Sequence, residues 1–429
     1  LKAGRISMIK DYLEILREEL VVAIGCTEPI AVVLAAAKAG EVLGGLPEKV
    51  DIRCSGNFIK NAKSVEIPNG QGLKGILACT ALGFVVKGSD KELEILQEVS
   101  KQQIDQAKAL LDKGTITLHK LDTTEKLHII VECMKGDTQV SVELKRTHHN
   151  ISKVIKNGKI LFEENLEETN PKGYSVDRSI LSVSGICRFV QEVDQDILKD
   201  LLNEVVCNNT SIAKEGLEAR YGNEVARTIY KYYGEDNIYA RLKAMGAAGS
   251  DARMGGCPYP VVTVVGSGNQ GMTCTLPVVE YAHYKNVSEE KLHRALALAL
   301  LISIHQKTGI GRLSAYCGAV SASCGAACGL TYLEKGADLE AISQTITNTL
   351  AVASGIVCDG AKPSCAAKIA TSLEAALLAH LMALEGNTFE PGTGIIKEDV
   401  EGTIAAVGKL ASVGMHQTDE VILDIMLEN

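Results

Sequence analysis

The feature that most constrains the fold is a change, along the chain, in the spacing at which apolar residues recur. Between residues 115 and 164, five short segments alternate apolar and polar side chains, and turn residues such as Lys135-Gly136-Asp137 and Lys156-Asn157-Gly158 separate them. This pattern is typical of strands and hairpins. A further strand is expected near Val50, followed by helices. We therefore predict an α/β region with a mixed sheet over residues 51–168.

Helical periodicity dominates the rest of the chain. Residues 7–24 carry apolar side chains at helical spacing, which predicts a first amphipathic helix. A second helix is expected after Gly25, with Thr27 as its N-cap. Asn170-Pro171 marks a predicted boundary, and helical patterns follow it. The predicted fold class is α+β, a mainly helical protein with a smaller inserted domain, in three parts: N-terminal helices (1–50) packing on the helical domain, the α/β insert (51–168) and the helical domain (169–429).

The charge of the chain limits the classes of partner. Its 44 basic and 53 acidic residues give a net charge of −9, without a basic stripe. This balance argues against nucleic acid or an anionic membrane as the main partner, and it is compatible with a small zwitterionic or cationic substrate. The first residues lack the apolar core of a signal peptide, and the apolar run 295–304 is too short to span a bilayer. We expect a cytoplasmic protein.

Cysteine is unusually frequent, with 13 residues. A disulfide framework is not expected in the cytoplasm, so we predict buried apolar thiols together with a metal-binding or reactive minority. Cys54 and Cys257 have no partner at metal-binding spacing. Five cysteines in apolar contexts are assigned to the core: Cys79, Cys133, Cys187, Cys207 and Cys274.

Cys26 stands at the break between the first two predicted helices. The partial positive charge at a helix N-terminus lowers the pKa of a nearby thiol and favours the thiolate. A small buried cysteine in a turn explains the same position equally well. The residues alone leave both interpretations open.

Three cysteines further along have spacing compatible with a metal centre. Forty residues separate Cys317 from Cys358, and six separate Cys358 from Cys365. Iron–sulfur clusters are bound by thiolates, and the Gly and Pro turns beside these cysteines expose backbone N–H groups that can bond to cluster sulfides. Cys324 and Cys328, four residues apart on one helix face, could also bind a metal. Zinc is less favoured, because the sequence has no Cys-x2-Cys pair.

A Gly-rich loop, residues 264–274, ends an apolar run and precedes a predicted helix. Its free N–H groups around Ser267–Met272 could bind a carboxylate, although a plain Gly-rich turn accounts for the same residues. The polar segment Ser55–Lys63 offers further donors, including Lys60, but a solvated loop is the simpler prediction. Three basic residues before Cys317 could orient a substrate or cap a helix end: His305, Lys307 and Arg312.

Together these motifs resemble the L-cysteine desulfidases, which share a catalytic domain with the iron–sulfur L-serine dehydratases. The dehydratases resemble the chain only over its C-terminal helical part, and their turn before the last cysteine is longer. The segments that match the desulfidases extend over nearly the whole chain: Gly-Cys-Thr-Glu-Pro at 25–29, Ser-Gly-Asn-Phe at 55–58, Gly-Ser-Gly-Asn-Gln-Gly at 266–271, Cys-Gly-Ala at 317–319 and Cys-Asp-Gly-Ala-Lys-Pro-Ser-Cys at 358–365.

The resemblance implies a lyase that converts L-cysteine to pyruvate, ammonia and sulfide at a 4Fe–4S cluster with one open iron. Carried over residue by residue, it implies Cys317, Cys358 and Cys365 as cluster ligands and Cys26 as the proton acceptor. The expected partners are a small amino acid, cysteine or serine, and a second copy of the chain if the protein is a homodimer. The implied substrate-binding residues are Ser55, Asn57, Ser267, Gly268, Asn269, Gln270 and Gly271.

Three other functions remain open at this point. An iron–sulfur L-serine dehydratase would use the same site. A pyridoxal-phosphate lyase would explain the Ser-Gly-Asn-x-Gly loop, with Lys60 as the Schiff-base candidate, but it would leave the three cysteines unexplained. A non-catalytic iron–sulfur sensor would need neither the anion-binding loop nor the Cys26 thiol.

Overall fold

The computed structural model describes residues 2–63, 65–164 and 175–428, so the predicted boundary at Asn170-Pro171 lies outside the described residues. The helices are α1 (Lys2–Glu19), α2 (Thr27–Leu43), α3 (Gly56–Ala62), α4 (Gly75–Val86), α5 (Lys101–Asp112), α6 (Val183–Glu192), α7 (Gln195–Glu218), α8 (Val225–Tyr233), α9 (Ile238–Met254), α10 (Gly268–Lys285), α11 (Glu289–Ile310), α12 (Gly318–Lys335), α13 (Leu339–Ala353), α14 (Cys365–Leu384), α15 (Val400–Lys409) and α16 (His416–Leu427). The strands are β1 (Val22–Ile24), β2 (Lys49–Cys54), β3 (Ile116–Lys120), β4 (His128–Lys135), β5 (Thr138–Lys145), β6 (Ile151–Lys156), β7 (Lys159–Glu163) and β8 (Pro260–Val262). A helical bulk with a mixed sheet confirms the predicted α+β class.

A six-stranded sheet contains most of the strands. Its order is β3-β2-β4-β5-β6-β7, in which β2 and β3 are parallel and the other neighbours are antiparallel. Alternate residues of β4, namely Ile129, Val131 and Cys133, are buried, as a period of two requires. Helix α2 packs on this sheet, and α4 packs on α2. The five strands predicted between residues 115 and 164 are therefore confirmed.

The predicted helix over residues 7–24 is wrong at its C-terminal end. α1 stops at Glu19, and β1 pairs antiparallel with β8, so that Val22 lies opposite Val262. Valine is compatible with either structure, and here the pairing with a distant strand overrides the helical spacing. The result is a two-stranded ribbon that joins the N-terminal segment to the helical bulk.

The segment predicted as a solvated loop, residues 55–63, is mostly a buried helix. Its apolar side chains and Lys60 are buried in α3. Lys60 Nζ donates a hydrogen bond to the Cys358 carbonyl oxygen at 3.2 Å and forms an ion pair with Asp419 of α16. A lysine can be buried when its charge is paired in this way. Through Lys60, α3 holds both the C-terminal helix and the Cys358 segment.

Small residues let the helices of the bulk approach one another closely. A Cβ atom at Gly325 of α12 would lie 2.3 Å from the Ala299 carbonyl oxygen of α11, and one at Gly329 would lie 2.7 Å from Val278 of α10. A larger residue at either position would force the helices apart. Helix α12 also packs against α13 and α14, so it occupies the middle of the bundle.

One helix among the described residues, α14, is long and apolar enough to cross a membrane by length and composition. It packs against α9, α12 and α13, and it buries Ile369, Leu373 and Leu377. The core helix of a folded protein passes the same test, so this property does not by itself indicate a membrane span.

Candidate active site

Four helices begin at the wall of one cavity of about 100 Å³. Cys26, Ser267 and Cys317 are the N-caps of α2, α10 and α12, and Cys365 is the first residue of α14. A helix N-terminus carries partial positive charge and free N–H groups. The cavity is therefore suited to anionic groups.

The ribbon of β1 and β8 brings two of these helix starts together. β1 leads through Gly25 to Cys26, and β8 leads into the loop before Ser267. The Thr27 hydroxyl donates a hydrogen bond to the Gly266 carbonyl oxygen at 2.7 Å. The prediction of Thr27 as N-cap is thus wrong by one residue, because its side chain bonds across to the second loop instead.

Cys317, Cys358 and Cys365 line the cavity together. In a short antiparallel bridge, Cys317 N donates to Ile356 O at 3.0 Å and Cys358 N donates to Ala315 O at 2.6 Å, which places these two cysteines on adjacent segments. Burial, followed by the charge of Cys358, raises the pKa of Cys317 to about 12. Burial also raises the pKa of Cys365. Thiols grouped in this way become thiolates most readily when a cation binds them.

The donor atoms of these residues and the positive charge around them both fit an iron–sulfur cluster. Three thiols on one wall are the donors that such clusters use. The four helix N-termini, with Lys307 and Lys368 on the same wall, provide positive surroundings that offset thiolate charge. Within the described ranges, no three His, Cys, Asp or Glu side chains converge on a site for a single metal ion. Cluster thiolates bind separate irons, so they need not converge on one point.

Cys324 and Cys328 do not line this cavity, as far as its described walls extend. Both are fully buried in the helical core, and burial raises the pKa of Cys328. They are core thiols. Cys207, by contrast, was predicted to lie in the core and is exposed on α7, so that prediction is wrong. The other cysteines assigned to the core are confirmed as buried: Cys79, Cys133, Cys187 and Cys274.

The Cys26 thiol is buried and donates a hydrogen bond to Glu28 Oε2 at 3.2 Å. Burial, followed by the charge of Glu28, raises the pKa of Cys26 well above its ordinary value, and the Arg253 guanidinium lowers it only in part. Cys26 is therefore a neutral thiol at neutral pH. Of the two interpretations that the sequence left open, the small buried cysteine agrees with this environment and the lowered pKa does not, because the helix N-terminus lies in an interior from which water is excluded.

Glu28 accepts several hydrogen bonds inside the cavity. Its second oxygen, Oε1, accepts one from Asn61 Nδ2 at 3.3 Å, and His148 Nε2 lies 3.8 Å from the same atom, within ion-pair distance. Burial alone would raise the pKa of Glu28, but His148 and then Cys26 lower it to about 2. Glu28 is thus ionised, and among the described lining residues it is the only carboxylate. The sequence analysis did not identify Asn61 or His148, because only tertiary contacts bring them to Glu28.

The predicted anion-binding loop is part of the same wall. Ser267, Asn269 and Gln270 line the cavity, and Ser267 Oγ caps α10 by accepting a hydrogen bond from Gln270 N at 3.4 Å. Gly268 and Gly271 belong to the same first turn of α10. A Cβ atom at Gly271 would lie 2.0 Å from a backbone carbonyl oxygen of β8, so only glycine allows this close approach.

Ser55 and Asn57, also predicted to bind substrate, are not among the residues of this wall. Ser55 Oγ donates a hydrogen bond to the Lys126 carbonyl oxygen at 2.7 Å. Asn57 Nδ2 is buried without a hydrogen-bond partner in the described part of the chain. Of their helix, it is Asn61 that reaches the cavity.

Two of the three basic residues noted before Cys317 line the cavity. Lys307 is buried, and burial lowers its pKa to about 8. Arg312 pairs with both carboxylate oxygens of Glu19 at 3.2 Å. His305 instead contacts Glu401 at 2.7 Å and is not among the lining residues.

Comparison with known proteins identifies the class of domain that the chain contains. Residues 90–424 match the family described as serine dehydratase alpha chain, which confirms the resemblance to that domain. The match begins inside the α/β region, earlier than the helical part to which the resemblance was expected to be limited. Cys317, Cys358 and Cys365 lie within it, whereas Cys26 and Glu28 precede it.

The chain belongs to the UPF0597 family. It is 50% identical over 420 residues to a UPF0597 protein of Lachnoclostridium phytofermentans, covering 98% of this chain and 100% of that relative. It is 47% identical over 418 residues to one of Desulfitobacterium hafniense, covering 97% and 96%, and 46% identical over 425 residues to one of Treponema denticola, covering 98% of each.

Proposed function

We propose that the protein is a carbon–sulfur lyase that converts L-cysteine to pyruvate, ammonia and sulfide at a 4Fe–4S cluster. The observation that carries this proposal is one cavity in which three cysteine thiols share a wall with the hydrogen-bonded Cys26–Glu28 pair. The serine dehydratase alpha chain match supports the reaction class, because loss of a β-substituent from a small amino acid is common to both activities.

In this proposal Cys317, Cys358 and Cys365 hold the cluster. Three protein ligands leave one iron open, and a bound cluster would supply a Lewis acid for the substrate carboxylate and the departing sulfur. The amines of Lys307 and Lys368 and the helix N-termini offset the negative charge of the thiolates. The soft sulfur of cysteine suits such an iron better than a serine hydroxyl does.

The proposed base is Cys26. Its hydrogen bond to Glu28 Oε2 at 3.2 Å holds the resting thiol in place, and the thiol acts as a base only after it has lost its proton to water. The resulting thiolate takes the proton from the substrate α-carbon, the carbon–carbon double bond forms, and the bond from the β-carbon to sulfur breaks. The product aminoacrylate becomes an imine, and water hydrolyses it to pyruvate and ammonia. Because burial raises the thiol pKa, the thiolate is scarce but strongly basic when it forms.

The loop from Ser267 to Gly271 is proposed to bind the substrate carboxylate. Its N–H groups open α10 beside the cavity, where a negative charge is favoured. Ser55 and Asn57 are proposed to support α3 rather than to contact substrate, since neither is on the described wall. All 13 cysteines are free thiols, which supports the cytoplasm as the proposed compartment.

L-serine dehydration is the second candidate function, favoured by the serine dehydratase alpha chain match. A pyridoxal-phosphate lyase with Lys60 as Schiff base is disfavoured, because Lys60 is paired with Asp419 and is not on the described cavity wall.

The test is anaerobic purification followed by iron and sulfide analysis and assays with L-cysteine and L-serine. We expect broad visible absorbance, about four irons per chain as a 4Fe–4S cluster requires, and sulfide release from L-cysteine at a higher kcat/KM than ammonia release from L-serine. Faster turnover of L-serine would establish the second candidate. A visible band removed by borohydride, with no iron, would contradict both.

A further inference from the structure

Arg253, at the C-terminal end of α9, is a buried guanidinium on the cavity wall, with only 3% of its surface exposed. Its Nε donates a hydrogen bond to the Gly25 carbonyl oxygen at 3.0 Å, and its Nη1 donates one to Asn269 Oδ1 at 3.1 Å. Nη2 has no hydrogen-bond partner among the described residues. Nε and Nη1 are thus held by the protein, and Nη2 remains available as a hydrogen-bond donor.

No carboxylate of the described chain forms an ion pair with Arg253 within 4.0 Å, so its positive charge is buried without a protein counter-ion. Arg178, the other buried arginine among the described residues, differs because it pairs with Glu18 and Glu19. The partly buried Arg312 also has a carboxylate partner, Glu19. A buried charge is costly unless it is paired, so the environment of Arg253 favours an anionic ligand.

The position of the guanidinium depends on a glycine. A Cβ atom at Gly268 would lie 2.7 Å from Arg253 Nε, so glycine allows the guanidinium to lie against the first turn of α10. Arg253 also bonds to Asn269 in that turn. Its spare donor and the free N–H groups of α10 therefore belong to one rigid surface. Planar donors of this kind match a carboxylate.

We propose that Arg253 binds the α-carboxylate of the amino-acid substrate through Nη2, together with the first turn of α10. This inference rests on the proposed function, since it identifies what the cavity recognises in a substrate. The competing anion is the thiolate charge of a bound cluster. The two roles differ in consequence, because a residue that offsets cluster charge is needed for iron retention, whereas a substrate anchor is not.

The experiment compares two thiol probes on the anaerobic holoenzyme by calorimetry, without turnover. 3-Mercaptopropionate carries a thiol and a carboxylate, and cysteamine carries a thiol and an amine. In Arg253→Gln we expect unchanged iron, affinity for 3-mercaptopropionate reduced about 10- to 100-fold by loss of a charge-assisted hydrogen bond, and affinity for cysteamine within about twofold of the native protein. Arg241→Gln, on the same helix and paired with Glu280, is the matched control and should change neither affinity.

The proposal would be overturned by an equal loss of affinity for both probes, by loss of iron, or by no change in either affinity. If Arg253→Gln does not fold, Arg253→Lys can be tested instead. Lysine retains the positive charge but not the planar arrangement of donors, so the affinity for 3-mercaptopropionate should again fall while the affinity for cysteamine does not. The native protein gives an independent test, because it must bind 3-mercaptopropionate more tightly than its methyl ester; equal binding would refute the assignment. Failure of the proposed function would look different: Arg253-dependent carboxylate binding without release of sulfide from L-cysteine.

Discussion

The Cys26 thiol donates a hydrogen bond to the carboxylate of Glu28, two residues later in the first turn of α2. Because the charge of Glu28 helps to raise the pKa of Cys26, Glu28→Gln should lower that pKa, so the rise of kcat for L-cysteine with pH should move to lower pH. The amide retains the shape and a hydrogen-bond acceptor but carries no negative charge. Iron per chain should not change.

Glu41→Gln, at the other end of the same helix, is the matched control for this change. Glu41 accepts hydrogen bonds from Gly88 and Ser89 and is not on the described cavity wall, so its variant should retain the native kcat and pH profile. An unchanged pH profile of Glu28→Gln would show that the charge of Glu28 does not control the Cys26 thiol.

Cys26→Ser should retain the cluster and lose turnover. A serine hydroxyl fits the same space but is a much weaker acid than a thiol, so the alkoxide base is inaccessible at neutral pH. Iron content and sulfide release, measured on the same preparation, distinguish the loss of a base from the loss of a cluster ligand. If iron is lost along with activity, Cys26 is a ligand rather than a base.

The proposed ligands predict a clear division among cysteine variants. Cys317→Ser, Cys358→Ser and Cys365→Ser should each lose most of the iron, because each thiolate binds a separate iron. Cys324→Ala and Cys328→Ala are the controls, since both remove thiols of the helical core, and these variants should retain native iron content. If Cys317→Ser retains its full iron content, Cys324 or Cys328 must be a cluster ligand in place of Cys317.

The pairing of Lys60 with Asp419 predicts an effect on stability beside the Cys358 segment, which Lys60 also contacts. Lys60→Met leaves the Asp419 carboxylate largely buried and unpaired, so we expect a loss of about 3 kcal/mol in the free energy of unfolding, measured with denaturant. The double variant Lys60→Met/Asp419→Leu should recover most of it, because neither charge remains. Additive losses in the double variant would show that the ion pair is not the cause.

His380 predicts a pH dependence of stability. Burial lowers the pKa of His380 to about 4, below its ordinary value of 6.5. Between these values the unfolded chain binds a proton that the folded chain does not, so His380 reduces stability as the pH falls from about 6.5 to 4, by up to about 1.4 kcal/mol per pH unit. The unfolding free energy of His380→Gln should fall less steeply over this window. Parallel profiles of the two proteins would contradict this.

Sequence patterns identified what short-range spacing determines. The five strands between residues 115 and 164 follow from alternation within each segment, and the small-residue cysteine motifs marked three residues that share one cavity. The β1–β8 ribbon, the buried α3 and Arg253 could not be predicted, because each depends on contact between segments far apart in the chain. The state of Cys26 stayed open at the sequence level for a related reason, because spacing places this residue at the start of a helix but burial sets its pKa.

The ribbon and the Lys60–Asp419 pair also affect when the cavity can exist in a growing chain. Cys26 and Cys365 are more than three hundred positions apart, and Asp419 follows later still. At a translation rate of about 5–20 residues per second, on the order of tens of seconds separate the emergence of these residues from the ribosome. Cys26 therefore remains without the other cavity cysteines until Cys365 has been added, and the cavity cannot form before that point.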